Sequence, residues 1–247
     1  MRVLGVIPAR LGSTRLPNKP LCLLAGEPLV TRVIERVREH GVVDELVVAT
    51  ESPMVAQVVE HAGIAAVLTA DDHPSGTDRV AEVANLPAYK DYDVILNIQG
   101  DEPFLSRAAV RGALDRVAGG DEIGTAASPL TAEQAENPNQ AKVVMDVAGR
   151  ALYFSRAVIP HRRDRDTPAD GLYWGHLGIY AYTREALARW VSCPVTMAEE
   201  AEKLEMLRAL QNGLTIGVAL VEEDPLPGVD TIDDLNRAEA LWLATAR

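Results

Sequence analysis

Apolar residues along this chain follow two alternating patterns. Short continuous apolar runs are typical of buried strands, and between them apolar residues recur at the spacing of one helix face. Before residue 120 the predicted strands are residues 2–7, 45–50, 65–68 and 93–98, and the predicted helices are residues 28–40, 53–61 and 106–117. Strands that alternate with helices in this way predict an α/β fold with a mainly parallel sheet flanked by helices.

The pattern is looser after residue 120. It predicts a hairpin over residues 142–154, a strand over 177–182, an amphipathic helix over 198–210, a strand over 214–221 and a closing helix over 231–244. Residues 161–174 are polar and rich in arginine and aspartate, which predicts an exposed arm or lid. A chain of 247 residues fits one domain with a single large core, so we expect one domain over residues 1–247.

Composition narrows the classes of function. The chain has 36 acidic and 24 basic residues, a formal net charge of −12, and 47% hydrophobic residues. This charge repels nucleic acid and anionic membranes, so neither is an expected partner. Two cysteines, Cys22 and Cys193, are too few for a disulfide framework or a zinc site. The sequence shows neither a signal-peptide core nor a membrane-spanning run, which predicts a cytoplasmic protein.

A basic loop follows the first predicted strand. It spans residues 8–20 and carries Arg10, Arg15 and Lys19 around small residues such as Ser13. Ligands of α/β proteins bind where parallel strands end, and small residues let backbone N–H groups approach an anion. The prolines of the loop restrict its backbone. The loop therefore predicts a triphosphate site, and a solvated basic loop is the alternative.

Three further polar turns stand near predicted strand ends or helix starts. Their candidate residues are Ser75 and Arg79, Gln99 and Asp101, and Asp230. A carboxylate directly beyond a buried strand could hold Mg²⁺ beside a phosphate. Each turn also has a structural interpretation: helix capping by Ser75, a common acidic turn at Asp101, and helix N-capping by Asp230 or its neighbour Thr231.

Several well-known motifs do not occur. The sequence contains no Gly-x-Gly-x-x-Gly, no P-loop, no Gly-x-Ser-x-Gly and no His-Glu-x-x-His, which argues against dinucleotide-binding proteins, P-loop NTPases, serine hydrolases and zinc proteases. Residues 91–93 match the Asp-x-Asp pattern of metal-dependent glycosyltransferases. They precede a strand instead of following it, so they lie on the wrong side for a site.

Taken together, the motifs resemble those of the 3-deoxy-manno-octulosonate cytidylyltransferase family, also called CMP-Kdo synthetases. They lie at residues 7–10, 13–17, 19–20, 75–79, 97–103, 153–160, 176–180 and 228–231. The resemblance spans nearly the whole chain. It implies the nucleotide-diphospho-sugar transferase fold, with a mixed seven-stranded sheet between helices. It also implies a homodimer that an arm at about residues 151–175 helps to form.

The resemblance implies an Mg²⁺-dependent transfer of CMP from CTP to 3-deoxy-D-manno-octulosonate (Kdo), with release of pyrophosphate, for lipopolysaccharide synthesis. Catalysis would fall to Arg10, Lys19, Asp101 and Asp230. Triphosphate contacts would come from Arg10, Ser13, Arg15 and Lys19, cytidine contacts from Ser75, Arg79 and Gln99, and Mg²⁺ ligands from Asp101 and Asp230. Contacts to the sugar acid would come from Arg156, Arg163, His176, Tyr180 and Glu205.

One residue departs from the family pattern. The family usually has Leu-Glu-Gln-Leu-Arg on the late helix, and this chain has Met206 at the glutamine position. Loss of an amide leaves the acceptor open between Kdo, its 8-amino analogue and a sialic acid, unless Met206 faces the core. A metal-dependent glycosyltransferase and a nucleotide-sensing module without turnover are the alternatives from other classes.

Overall fold

The structure is a computed structural model that describes residues 1–13, 15–164, 166, 168–222 and 228–245. Thr14 of the basic loop and Arg165 and Thr167 of the expected arm lie outside the described residues. The chain divides into two compact units: unit 1 comprises Met1–Leu105 and Leu226–Arg247, and unit 2 comprises Ser106–Pro225. The expectation of one domain over residues 1–247 stays a prediction.

The strands and the helices that the structure describes are each numbered in chain order. The strands are β1 (Val3–Pro8), β2 (Leu23–Leu24), β3 (Glu27–Pro28), β4 (Glu45–Thr50), β5 (Ala65–Leu68), β6 (Val94–Asn97), β7 (Ile123–Leu130), β8 (Lys142–Met145), β9 (Ala151–Ser155), β10 (Tyr173–Thr183) and β11 (Ile216–Leu220). The helices are α1 (Leu29–His40), α2 (Pro53–His61), α3 (Gly76–Ala84), α4 (Arg107–Ala118), α5 (Ala132–Ala135), α6 (Arg184–Ser192), α7 (Met197–Glu202), α8 (Met206–Gln211) and α9 (Ile232–Thr245).

In unit 1, strands β6, β1, β4 and β5 lie side by side and all run parallel. Every residue of β1 from Val3 to Ile7 is buried, as in parallel sheets that helices cover on both faces. Helix α3 packs against β1 and helix α2 against β5. Because the four strands are parallel, their carboxyl ends meet at one edge, and the loops after them are neighbours there. The predicted β-α-β-α-β order is confirmed.

In unit 2, β11 runs parallel to β7, and the pairs β7–β10, β10–β8 and β8–β9 are antiparallel. The predicted hairpin is β8 and β9. Strand β7 was not predicted from the sequence, because small residues fill its centre instead of a run of large apolar ones. A Cβ added at Gly124 would lie 1.9 Å from the carbonyl oxygen of Ala113 on α4, so the helix packs directly onto this strand.

The predicted helix over residues 198–210 is wrong, because the structure has two short helices there. Helix α7 ends before Lys203, whose φ of 52° lies in the left-handed region, and α8 begins at Met206. A buried ion pair joins the two helices: the Arg208 guanidinium donates to both carboxylate oxygens of Glu199, at 2.9 and 2.6 Å. The sequence gives no warning of the break, since neither glycine nor proline stands between the helices.

The predicted strand over residues 177–182 is longer in the structure. Strand β10 begins at Tyr173, which is buried, so the last residues of the polar stretch belong to the sheet of unit 2. Among the described residues, no helix is both long enough and apolar enough to cross a membrane.

Candidate functional site

A buried apolar cluster in unit 1 holds the end of the basic loop against the C-terminal segment. Its residues are Leu16, Leu24, Leu29, Val229, Leu235 and Ala238. The backbone N–H of Val229 also donates to the carbonyl oxygen of Asp101, at 2.8 Å. Packing and this hydrogen bond together bring the side chains of Lys19, Asp101 and Asp230 to one place, although they are far apart in the sequence.

Lys19 bridges the two aspartates that the family resemblance implies as metal ligands. Its Nζ lies 2.7 Å from Oδ2 of Asp101 and 2.7 Å from Oδ1 of Asp230. Arg15 Nη2 lies 3.0 Å from the same Oδ1 of Asp230. Burial alone would lower the pKa of Lys19, but the two carboxylates outweigh it and raise this pKa above its ordinary value. Lys19 is therefore held protonated between two anions.

The start of α9 is capped without the side chain of Asp230. Thr231 Oγ1 accepts from the N–H of Asp234 at 3.2 Å, and Asp234 Oδ2 accepts from the N–H of Thr231 at 2.9 Å. This reciprocal pair is a capping box, so of the two capping residues considered, Thr231 fills the role. The Asp230 carboxylate is left to contact Lys19 and Arg15.

Gly100 lets the turn after β6 lie against the loop after β1. A Cβ built at Gly100 would be 2.9 Å from the carbonyl oxygen of Pro8, closer than Cβ atoms approach other atoms. The turn that carries Asp101 therefore requires glycine at this position. The neighbouring carboxyl of Glu102 is affected too: burial, together with the negative charges of Asp101 and Asp230, raises its pKa to about 8.

Arg79, a predicted cytidine contact, is buried within the protein. Its Nη2 lies 3.1 Å from Oε2 of Glu51, and its Nη1 donates to the carbonyl oxygen of Ala70 at 3.1 Å and to Thr69. Glu51 Oε1 in turn accepts from the N–H of Leu11 in the basic loop, at 2.9 Å. Arg79 and Glu51 thus tie together the loops that follow β1, β4 and β5.

The remaining predicted nucleotide contacts of unit 1 lie on the same edge. Ser75 caps α3: its Oγ accepts from the N–H of Asp78 at 3.3 Å and donates to the Asp78 carboxylate at 2.6 Å, as the capping interpretation expects. Ser13 Oγ accepts from a backbone N–H of the basic loop at 3.3 Å. Arg10 is exposed, and Gln99 is half-buried, two residues after the end of β6.

In unit 2, Arg156 donates its hydrogen bonds to the protein itself. Its Nε lies 2.6 Å from the carbonyl oxygen of Glu202, and its Nη1 lies 3.0 Å from that of Pro138. The backbone N–H of Arg156 donates to the Glu202 carboxylate at 2.8 Å. A sugar carboxylate could pair with this guanidinium only through the N–H groups that remain free at the outer edge of the guanidinium. Otherwise some of these hydrogen bonds must first break.

His176 and Tyr180 lie together on β10, with ring centroids 5.4 Å apart. His176 Nε2 is 2.9 Å from Thr125 Oγ1, which donates to the carbonyl oxygen of Ile179 at 2.7 Å. Thr125 therefore accepts the Nε2 proton, which leaves Nδ1 of the imidazole as an acceptor. Burial lowers the pKa of His176 to about 3, so this side chain is neutral at physiological pH.

The other predicted acceptor contacts of unit 2 differ in exposure. Arg163 is exposed, in the polar stretch before β10, and Glu205 is half-buried directly before α8. Met206 is buried, with 5% of its surface exposed. This agrees with the interpretation that Met206 faces the core.

Asp101 and Asp230 have the right chemistry for a magnesium ion. Their oxygens converge on one atom, Lys19 Nζ, and no described group of three or more His, Cys, Asp or Glu residues is arranged to bind a metal. Mg²⁺ prefers oxygen ligands and is commonly bound by one or two carboxylates together with substrate phosphates and waters. A pair of aspartates beside a basic loop that is predicted to bind phosphates fits that preference.

At this edge of unit 1, Glu51 was not among the predicted site residues, and Glu102 was predicted only as part of the motif at residues 97–103. Both acids follow a strand within a few residues, as Asp101 does, and that position is the only signal the sequence offered.

Comparisons with known proteins identify the family of the chain. Residues 4–216 match the family model described as Cytidylyltransferase. The 3-deoxy-manno-octulosonate cytidylyltransferase of Gemmatimonas aurantiaca is 53% identical over 245 residues, covering 98% of this chain and 95% of that protein. The enzyme of the same name from Yersinia pseudotuberculosis is 44% identical, covering 98% of this chain and 99% of that protein.

Solved structures show the same fold. A structure of CMP:2-keto-3-deoxy-manno-octonic acid synthetase complexed with CTP has a TM-score of 0.91 and 38% identity, covering 99% of this chain and 100% of that one. A 4-diphosphocytidyl-2C-methyl-D-erythritol synthase from Anaerococcus prevotii, at 12% identity and a TM-score of 0.61, shares the fold alone. The predicted fold, a mixed and mainly parallel sheet flanked by helices, is confirmed. By sequence and by fold, the chain belongs to the 3-deoxy-manno-octulosonate cytidylyltransferase family.

Proposed function

We propose that this protein transfers CMP from CTP to the anomeric hydroxyl of Kdo. The hydroxyl oxygen attacks the α-phosphorus, the bond from that phosphorus to the bridging oxygen of the β-phosphate breaks, and pyrophosphate leaves. The hydroxyl proton passes to solvent or to a nearby base. The products are CMP-Kdo and pyrophosphate, and we assign the reaction to lipopolysaccharide synthesis.

The observation that carries this proposal is the convergence of Arg15, Lys19, Asp101 and Asp230 at the strand ends of unit 1. Phosphoryl transfer needs little covalent work from side chains and depends on positioning and charge neutralisation. In the proposed reaction Arg15 and Lys19, with Arg10 and Ser13, bind the triphosphate and offset the charge that builds up on the leaving pyrophosphate. Ser75, Arg79 and Gln99 shape the cytidine side of the site.

Asp101 and Asp230 would hold Mg²⁺. When bound there, the ion would polarise the α-phosphate and favour ionisation of the acceptor hydroxyl. The two carboxylates keep their positions through the turn at Gly100 and through the backbone hydrogen bond between Val229 and Asp101.

Arg156, Arg163, His176, Tyr180 and Glu205 remain our candidates for binding the sugar acid. A neutral His176 can accept a hydrogen bond from a sugar hydroxyl at Nδ1 but supplies no charge, so the carboxylate of the acceptor depends on an arginine. The relatives named above act on Kdo by name, and a buried Met206 removes the main reason to prefer an 8-amino analogue or a sialic acid.

We also propose that the enzyme is a cytoplasmic homodimer assembled through residues 151–175. Strand β9 pairs only with β8 among the described strands, and its Leu152 is 62% exposed. A strand edge that lacks a partner strand and carries an exposed apolar side chain favours association with a second copy. Sedimentation of the wild type and of Leu152→Glu tests this: a monomeric wild type contradicts it.

Pyrophosphate release tests the function directly. The purified protein is given each of CTP, UTP and ATP with Mg²⁺ and each of Kdo, 8-amino-Kdo and a sialic acid. We expect release with CTP and Kdo. A preference of tenfold or more in kcat/KM for another acid, about 1.4 kcal/mol, would overturn the acceptor but leave the cytidylyltransferase assignment. No release with any acid would overturn the assignment.

A further inference from the structure

Lys19 lies where the two aspartates of unit 1 converge. Its ammonium is 2.7 Å from Asp101 Oδ2 and 2.7 Å from Asp230 Oδ1, and only 14% of the lysine side chain is exposed. Arg15 adds a second cation, 3.0 Å from that same oxygen of Asp230. The side chains of this cluster are two anions and two cations, so their charges balance with no bound ion.

A divalent cation and this lysine compete for the same carboxylate oxygens. Mg²⁺ binds its oxygen ligands at about 2.0–2.1 Å. An ammonium held on the same two oxygens would lie within a few ångströms of the ion, and like charges at that range repel strongly. Binding of the ion at this place therefore requires that Lys19 leave, and a charged lysine leaves readily only if another anion receives it.

A triphosphate is such an anion. Lys19 is in the short 3₁₀ turn Lys19–Leu21, at the end of the loop that we assign to the phosphates. Asn18, directly before it, has a φ of 54° and lies in the left-handed region. The flexible four-carbon stem of lysine can move its ammonium from the aspartates to a phosphate without displacing the loop.

We propose that Lys19 is a positioning residue that holds Asp101 and Asp230 together in the nucleotide-free protein and keeps divalent cations weakly bound there until a triphosphate arrives. This inference rests on the proposed function. It adds an order of binding, because the metal binds tightly only together with the nucleotide. Free Mg²⁺ in the absence of CTP then has little access to the two carboxylates.

The test measures Mn²⁺ binding to the nucleotide-free protein by electron paramagnetic resonance. Lys19→Met removes the charge at nearly constant length, and Lys19→Arg keeps it. We expect Lys19→Met to bind Mn²⁺ at least tenfold more tightly than the wild type, and Lys19→Arg to match the wild type. In the double variant with Asp230→Asn the gain disappears. Equal affinities of the wild type and Lys19→Met would overturn the inference.

A second measurement uses the wild type, in case Lys19→Met does not fold. The lysines of the chain are Lys19, Lys90, Lys142 and Lys203, so ¹⁵N labelling of lysine gives a spectrum simple enough to follow one Nζ. We expect the Lys19 signal to keep its position when Mg²⁺ alone is added and to shift when CTP and Mg²⁺ are added together. A shift with Mg²⁺ alone would overturn the inference.

Failure of this inference can be told from failure of the proposed function. Turnover that depends on a divalent cation, combined with equal Mn²⁺ affinities, would overturn the role of Lys19 and leave the cytidylyltransferase assignment intact. Turnover that needs no divalent cation would overturn the metal role of the aspartates, and the inference with it.

Discussion

The predicted cations beside Asp101 and Asp230 in unit 1 and the predicted acceptor contacts of unit 2 differ in their hydrogen-bond partners. In unit 1, Arg15 and Lys19 contact the carboxylates of other predicted site residues. In unit 2, Arg156 donates to backbone carbonyls and His176 is paired with the buried Thr125. Charged groups that contact one another can exchange partners when a charged ligand arrives. Polar groups that are bonded to the backbone hold the fold, and a ligand must fit around them.

The strongest test of this contrast is Asp101→Asn in unit 1. An amide neither neutralises Mg²⁺ nor balances Lys19, so we expect turnover to fall about 1000-fold, roughly 4 kcal/mol in the activation barrier. Circular dichroism should show an unchanged fold. The matched control is Asp233→Asn, at an exposed position of α9, which should keep wild-type turnover. Full activity of Asp101→Asn would remove this carboxylate from the site.

Two ion pairs that each involve a buried arginine, one in each unit, sharpen the comparison. Glu51→Gln leaves Arg79 without its anion in unit 1, and Glu199→Gln does the same to Arg208 in unit 2. Each should lower the free energy of unfolding by about 3 kcal/mol in urea titrations. Only Glu51→Gln should also weaken CTP binding, about tenfold by calorimetry, because Glu51 accepts from the backbone of the basic loop. Equal CTP affinities in both variants would contradict a positioning role for Glu51.

The decrease in the free energy of unfolding at acidic pH tests the burial of His176. Its pKa of about 3 in the folded protein lies below the value of about 6.5 in an unfolded chain. As pH falls from about 6.5 towards 3, the unfolded chain takes up a proton that the native state excludes, so stability falls by up to about 1.4 kcal/mol per pH unit. Between pH 7.5 and 5 the wild type should lose about 2 kcal/mol more than His176→Asn in urea unfolding. Parallel losses would show that His176 titrates normally.

The smallest expected effect is on acceptor choice at Met206. Because this side chain is buried, Met206→Gln should change the ratio of kcat/KM between Kdo and 8-amino-Kdo by less than threefold. Its cost should appear in stability instead, at about 1–2 kcal/mol, since a buried amide loses hydrogen bonds to water. Met206→Leu conserves volume and serves as the control. A tenfold change in acceptor ratio would place residue 206 in the acceptor site.

Much of unit 1 could be predicted from the sequence, because its strands are continuous apolar runs and its site residues lie at the ends of these strands. Asp101 comes four residues after the last residue of β6, and the basic loop begins where β1 ends. Glu51 could not be singled out in this way. A single acidic residue after a strand is common. The role of Glu51 depends on its contact with the buried Arg79, which the sequence places on a different element.

Unit 2 was harder to predict for physical reasons. Strand β7 is built from small residues that allow α4 to approach, so it lacks the apolar signal of a strand. The break at Lys203 depends on tertiary contacts, including the ion pair between Arg208 and Glu199, because lysine itself favours no break. The burial of His176 likewise results from the aromatic rings around it, which no local pattern of residues reports.

The close contact between Gly100 and Pro8 sets the mutational tolerance of this corner of unit 1. Even one methyl group at position 100 would meet the Pro8 carbonyl at 2.9 Å, which the loop after β1 could relieve only by moving. That loop leads into the cations, and the turn at position 100 leads into Asp101. Substitutions in the two segments are therefore coupled, and engineering of nucleotide choice at this edge has to vary both loops together.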